Sequence, residues 1–239
     1  MKKTLLTLLL VGLSFASLAQ VRIATDESGN KITISGSKVV IIEPDIELSV
    51  ITAGGMNEPR KEWSDIARQL YPIAVRDFLG KRQIQLTAVH DLPDDLPPAS
   101  RLGQVVRLHE AVAMSIAQYS QPGNVLETKK DRKTGRPLMD WSLGNGVTEL
   151  REATGADYAI FTYIRDSYSS TGRAVLRFVG FLLLGGDVGG GAQIGLTTLV
   201  DLKTGRVVWF NLMAKQTGDL RNKSGTKQAV KHLLKGFPK

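Results

Sequence analysis

The sequence has no cysteine among its 239 residues. A disulfide framework, a cysteine nucleophile, a zinc finger and an iron–sulfur site are therefore excluded. Histidine is scarce too. His90, His109 and His232 form neither a His-Glu-x-x-His motif nor any close pair that could begin a zinc site. There is no Gly-x-Ser-x-Gly elbow and no phosphate loop. The glycine-rich run Gly185–Gly191 ends without Lys-Ser/Thr and joins two expected strands, so no helix N-terminus stands behind it to hold phosphate. No cofactor is expected. Aromatic residues make up only 6% of the chain, but 42% apolar and 23% charged residues are ordinary globular values. Disorder, collagen and coiled coil are thereby excluded, and the chain is long enough to bury a real core.

Long apolar runs are also missing. Leu5 to Ala16 is too short to span a membrane comfortably, and no later run reaches that length. Lys2 and Lys3 precede this segment, and the small residues Ser17 and Ala19 follow it at the −3 and −1 positions of a cut. The pattern predicts a secretory leader over 1–19, cleavage after Ala19 and a mature chain from Gln20 in the periplasm or outside the cell. No cysteine follows the cut, so bacterial lipidation is not expected.

Acidic residues are nearly absent from the C-terminal stretch. Residues 203–239 carry nine Lys and Arg against one acid, Asp219, a net +8, whereas the rest of the mature chain is −2. Segregated positive charge suits an anionic envelope surface: lipid headgroups, lipopolysaccharide or an acidic glycan. Export argues against nucleic acid. Lys227, Lys231 and Lys235 recur at helical spacing opposite Ala229, Val230, Leu233 and Leu234, with Ser224 as the expected cap. These three lysines, with Arg221 and Lys223, are the candidate contact with such a surface. The alternative is a solvated lysine face that only keeps the protein soluble.

Periodicity supplies the fold class. Residues 20–36 read as an N-terminal hairpin with its turn at Asp26–Asn30, and 37–239 as a single α/β domain. Val39–Ile42 is a continuous β-branched run, the mark of a buried strand. After it come a strand near Ile46–Val50, a break at Gly54-Gly55 and a helix over 59–79, capped by Asn57 and kinked at Pro72. Gln83–Val89 reads as a strand. Residues 101–119 give a clean amphipathic helix, with His109 on its apolar stripe as a hydrogen-bonded core histidine. A long loop over 120–140 and a short helix over 146–154 follow. Strands at 158–164, 174–184, 193–202 and 206–214 form a meander, and the basic helix closes the chain. The sum is an α/β (α+β) domain, a mixed, largely antiparallel sheet flanked by helices.

Two features stand out from this frame. Asp-x-Lys-Thr-Gly-Arg occurs twice, at Asp131–Arg136 and Asp201–Arg206, and both copies fit tight turns in which Gly supplies the positive φ. The strand around Phe178, Phe181 and Leu183 is apolar on both faces. It reads as a central strand packed on both sides, or as an oligomer, partner or lipid contact.

Gly155-Ala156-Asp157-Tyr158 near a strand start, then Asp201-x-x-Thr204-Gly205-x-x-x-Trp209, carry a resemblance. The block 189–211 resembles one that recurs in exported bacterial proteins. More distantly it is similar to the periplasmic domain of the curli secretion channel and to the outer-membrane lipoproteins that activate penicillin-binding proteins. The resemblance implies a helix-covered sheet that works by binding and assembly with an envelope protein, not by catalysis. The sequence departs from those lipoproteins in lacking the lipid-bearing cysteine. Three function classes follow: a non-enzymatic envelope accessory; a hydrolase using His109, Glu110 or Asp157; and a homo-oligomeric pore or secretion component using residues 174–195.

Overall fold

The computed structural model describes residues 20–24, 31–51, 56–93, 95–97, 99–119, 124–169, 175–176, 188–189 and 193–239. The expected leader, the turn at Asp26–Asn30, the break at Gly54-Gly55, and Phe178, Phe181 and Leu183 lie outside the described residues.

The main sheet runs in the order β1 (Gln20–Ile23), β10 (Val207–Ala214), β9 (Gln193–Asp201), β6 (Tyr158–Ser169), β2 (Lys38–Ile42), β5 (Gln85–His90). β3 (Asp45–Ile51) continues β2 after a break at Glu43-Pro44 and pairs with the second half of β6. β4 (Asn57–Pro59) pairs with β3. One half of the sheet, β1-β10-β9-β6, is antiparallel. The other half, built by β2, β3 and β5 on β6, is parallel. The fold is thus mixed α+β as the periodicity implies, with a larger parallel share. A two-residue pair, β7 (Val175–Leu176) with β8 (Val188–Gly189), stands apart from the main sheet.

Helices cover both faces. α1 (Lys61–Gly80) and α4 (Lys223–Leu233) pack on the face bearing Ile41, Ile46, Ile160, Leu199 and Trp209. α2 (Arg101–Tyr119) and α3 (Thr148–Thr154) pack on the face bearing Val40, Phe161, Leu196 and Phe210. The reason lies in the strands. Val39–Ile42 and all but the last residue of β9 and of β10 are buried, so a sheet apolar on both faces requires a layer on each.

Several local expectations are corrected. β1 pairs antiparallel with β10, and Ile32 N donates to Ala24 O at 3.4 Å between the two arms of the expected hairpin, whose turn lies outside the described residues. Asn57 does not cap α1, because β4 takes it. Arg60 stands at the N-cap without a side-chain bond, and Pro72 lies inside α1 as expected. Asn222, not Ser224, caps α4: its Oδ1 accepts from Gly225 N at 2.8 Å. The 124–140 segment is ordered by a 3-10 turn at Glu127–Lys129 and a bridge between Lys130 and Pro137.

The two Asp-x-Lys-Thr-Gly-Arg copies fold into the same turn. Asp131 Oδ1 accepts from Lys133 N and Thr134 N, and Gly135 N donates to Asp131 O. Asp201 Oδ1 accepts from Lys203 N and Thr204 N, and Gly205 N donates to Asp201 O. Both glycines are left-handed, at φ 66° and 72°. Their surroundings differ. A Cβ at Gly135 would meet nothing, whereas one at Gly205 would collide with the backbone of Gly144. Gly135→Ala should therefore cost about 1 kcal/mol and Gly205→Ala about 2–3 kcal/mol. Urea unfolding of the two variants checks this, and equal costs would show that the 141–146 segment yields freely.

Candidate functional site

The resemblance motifs meet in space. Gly155 ends α3 at φ 62°, and Ala156 is buried. Asp157 then clips three segments together. Its carboxylate accepts from Lys38 N at 2.9 Å, its N–H donates to Lys38 O at 2.8 Å, and its carbonyl accepts from Leu202 N at 2.9 Å. Tyr158 lies opposite Asp201 in the β6–β9 ladder. Trp209, eight residues beyond Asp201, is fully buried, with its ring edge-on to Phe237 at 5.1 Å. Both motifs build the fold: a helix stop, a strand start, a turn and a core anchor.

The residues considered for catalysis fall in two places: His109 and Glu110 are neighbours on α2, and Asp157 lies apart from them at the start of β6. His109 is buried, stacks on Phe161 at a ring separation of 4.2 Å and shares a 2.6 Å hydrogen bond between its Nε2 and Thr198 Oγ1. Burial depresses its pKa to about 3, so it is neutral at physiological pH. Glu110, the next residue on α2, is exposed, and Asp157 sits at the start of β6 beside Lys38. His109 thus has the place expected of a hydrogen-bonded core histidine.

The basic face is laid out on α4. Lys223, Lys227, Lys231 and Lys235 are exposed, while Ala229, Val230, Leu233 and Leu234 beneath them are buried. Lys227 reaches Asp77 of α1 at 3.4 Å, an exposed pair that contributes little to stability. Lys231 and Lys235 make no ion pair with another described residue. Lys215, at the end of β10, joins them electrostatically at His232. That imidazole is held below its ordinary pKa by desolvation and then by repulsion from Lys215, Lys231 and Lys235. Three ammonium groups therefore share one patch of positive potential.

Arg221 makes contacts that the sequence does not announce. Its guanidinium donates to both carboxylate oxygens of Asp219 at 2.9 Å. It also lies over the rings of Tyr168, at 3.9 Å, and Trp63, at 4.6 Å. The clamp ties the entrance of α4 to α1 and β6, with the charge of Arg221 paired to Asp219 at a partly exposed position.

Beside that clamp lies a buried carboxylate with no forewarning in the sequence. Asp166 is 1% exposed, Gln193 Nε2 donates to its Oδ2 at 2.8 Å, and burial raises its pKa. The same Nε2 donates to Gly218 O at 2.8 Å, and Thr217 Oγ1 donates to Gln193 Oε1 at 2.6 Å. This network fastens the 216–219 segment to the sheet ahead of α4. A charged residue in mid-strand carries no period-2 signature, which is why β6 reads as ending at 164 when it runs to Ser169.

No family model and no curated protein matches the chain. Solved structures give distant likenesses. They include a PelC dodecamer from Paraburkholderia phytofirmans, at 12% identity and TM-score 0.36, covering 90% of this chain and 95% of that one. The C-terminal domain of LpoB from Salmonella enterica gives 13% and 0.27, covering 77% and 84%. The lipoprotein GNA1162 from Neisseria meningitidis gives 11% and 0.28, covering 83% and 96%. At this distance no residue role is carried over. No helix among the described residues is long and apolar enough to cross a membrane.

Proposed function

We propose that the protein is exported and acts without catalysis as an accessory of the cell envelope, docking through α4 on an anionic envelope surface. The observation that supports this most is the lysine face: Lys227, Lys231 and Lys235 exposed over a buried apolar stripe, with Lys215 adding to the same potential around His232. The leader pattern at 1–19 supports export. The roles of His109 and Asp157 as core and backbone anchors support a protein that works by binding. Arg221 drops out of the contact set, which becomes Lys215, Lys223, Lys227, Lys231 and Lys235.

Each lysine near an anionic leaflet contributes about 1 kcal/mol. Three or four give weak, reversible docking, not anchoring. The test is co-sedimentation of the processed chain with phosphatidylglycerol-containing and with neutral vesicles. Binding is expected on the anionic vesicles alone and should fade as salt shortens the screening length from about 8 Å to about 3 Å. Lys227→Gln, Lys231→Gln and Lys235→Gln together should abolish it with the circular dichroism unchanged. His232 supplies a second readout, since an anion that neutralises the neighbouring lysines must raise its pKa. Equal retention on neutral vesicles, or a His232 titration unmoved by anionic vesicles, would refute the docking face.

A further inference from the structure

On the opposite face of the sheet from α4, a pocket of about 110 Å³ opens between α2 and the junction of β2 with β3. Its floor is apolar: Ile42, Ala113, Phe161 and Leu196 are all buried. Val106, Met114 and Leu92 form the half-buried mouth. Two polar groups of the wall are already engaged, since His109 Nε2 is bonded to Thr198 and the Thr162 hydroxyl to Tyr71. The floor therefore offers mainly dispersion and desolvation, with His109 Nδ1 left as a polar atom without a hydrogen bond in this wall.

The rim has one sign of charge. Glu43, Asp45 and Glu110 line it, from the β2–β3 junction on one side and α2 on the other. Asp45 is neutralised by Arg165, which grips it with two bonds of 2.8 and 2.9 Å and lies 3.9 Å over the Tyr163 ring. Glu43 accepts a backbone bond, from Leu92 N at 3.0 Å, and has no ion-pair partner among the described residues. Glu110 has no ion-pair partner among the described residues. The Tyr163 phenol registers the field: desolvation raises its pKa most, and Asp45, Glu110 and Glu47 raise it further against the opposing Arg165. A dry floor under uncompensated carboxylates complements a molecule that is apolar at one end and cationic at the other.

We propose that this pocket binds a small amphiphilic cation, an aryl- or alkylammonium whose apolar end fills the floor while its ammonium group sits between Glu43 and Glu110. At about 110 Å³ the pocket is smaller than the roughly 150 Å³ cavity that encloses benzene, so an apolar end enters it only in part, with the rest of the ligand carried out through the open mouth. The site does not rest on the docking role of α4, which lies across the sheet.

The experiment is a 1H–15N NMR titration of the protein with three probes of one shape: 2-phenylethylammonium, 2-phenylethanol and 3-phenylpropanoate. The ammonium should give saturable shifts at Val106–Met114 and Phe161–Tyr163. It should bind about five- to tenfold more tightly than the alcohol, with the carboxylate weakest. Glu110→Gln should bring the ammonium close to the alcohol. Ala113→Phe should fill the floor and remove saturable binding of every probe. If that variant unfolds, Met114→Trp closes the mouth from a half-exposed position and makes the same test. Equal affinity for ammonium and alcohol would overturn the proposal. So would shifts confined to α4, or the absence of saturable shifts.

Discussion

Replacing Trp209 with Ala should cost about 3–5 kcal/mol, a large part of the stability of a domain this size. Trp209 is fully buried in the β10 segment Val207–Phe210, whose side chains are all buried. Its ring meets Phe237 edge-on at 5.1 Å, and Phe237 meets Phe78 of α1 in the same way at 6.4 Å. The indole thus joins β10, the C-terminal tail and α1. Truncation leaves a cavity that three elements would have to collapse together to fill, and a three-layer core relaxes only in part. Trp209→Phe keeps an aromatic against Phe237 and should cost about 1–2 kcal/mol. Urea unfolding measures both. A Trp209→Ala variant as stable as its parent would mean that β10 is not packed as described.

Trp209 was legible because its signal is local: a Lys-Thr-Gly turn followed by an unbroken apolar run has one reading, a buried strand after a hairpin. The same holds for Val39–Ile42 and for α2, whose bounds match the periodic stripe. What the sequence hid was long-range. Nothing in Gln20–Ile23 says that it adds to β10, nearly two hundred residues later, because strand pairing leaves no mark on either partner alone. The cap of α4 was misread because both Asn222 and Ser224 are competent, and the choice is made elsewhere. Gly225 passes against the backbone of Asp219, where no Cβ fits, and that contact fixes where the helix begins.

The candidate site divides in the same way. The lysines of α4 were visible as a helical stripe. Their company was not, because Lys215 reaches the patch through the fold and Arg221 is paired with Asp219. The pocket beside α2 was invisible. Val106, Ala113 and Phe161 look like ordinary core, and only the docking of α2 across the β2–β3 junction leaves a space that Glu43 and Glu110 border.

His109 should make the fold sensitive to acid between pH 7 and pH 5. Its pKa is depressed to about 3 by burial, against about 6.5 in an unfolded chain. Between those values the unfolded chain takes up a proton that the folded protein refuses. The stability tied to its neutrality is therefore complete above pH 6.5 and falls as the medium becomes more acid, by about 1.4 kcal/mol per pH unit, until pH nears 3. Between pH 7 and pH 5 the loss from this residue is about 2 kcal/mol. Asp166 acts in the opposite sense: its raised pKa means that the folded state binds a proton first as the pH falls. The difference between parent and variant isolates the histidine. His109→Gln can keep a hydrogen bond to Thr198 without titrating, so its unfolding free energy should be flatter from pH 7 to pH 5 even if it is lower at pH 7. Urea unfolding at pH 7, 6 and 5 gives the two slopes, and equal slopes would show that His109 protonates freely in the native state. The His109 ring signal should also stay unchanged in the folded protein across that window. A histidine that refuses a proton down to about pH 3 and already holds Thr198 is poorly suited to general-base work at neutral pH. The measurement that explains acid stability thus also tests the non-catalytic reading of this face of the sheet.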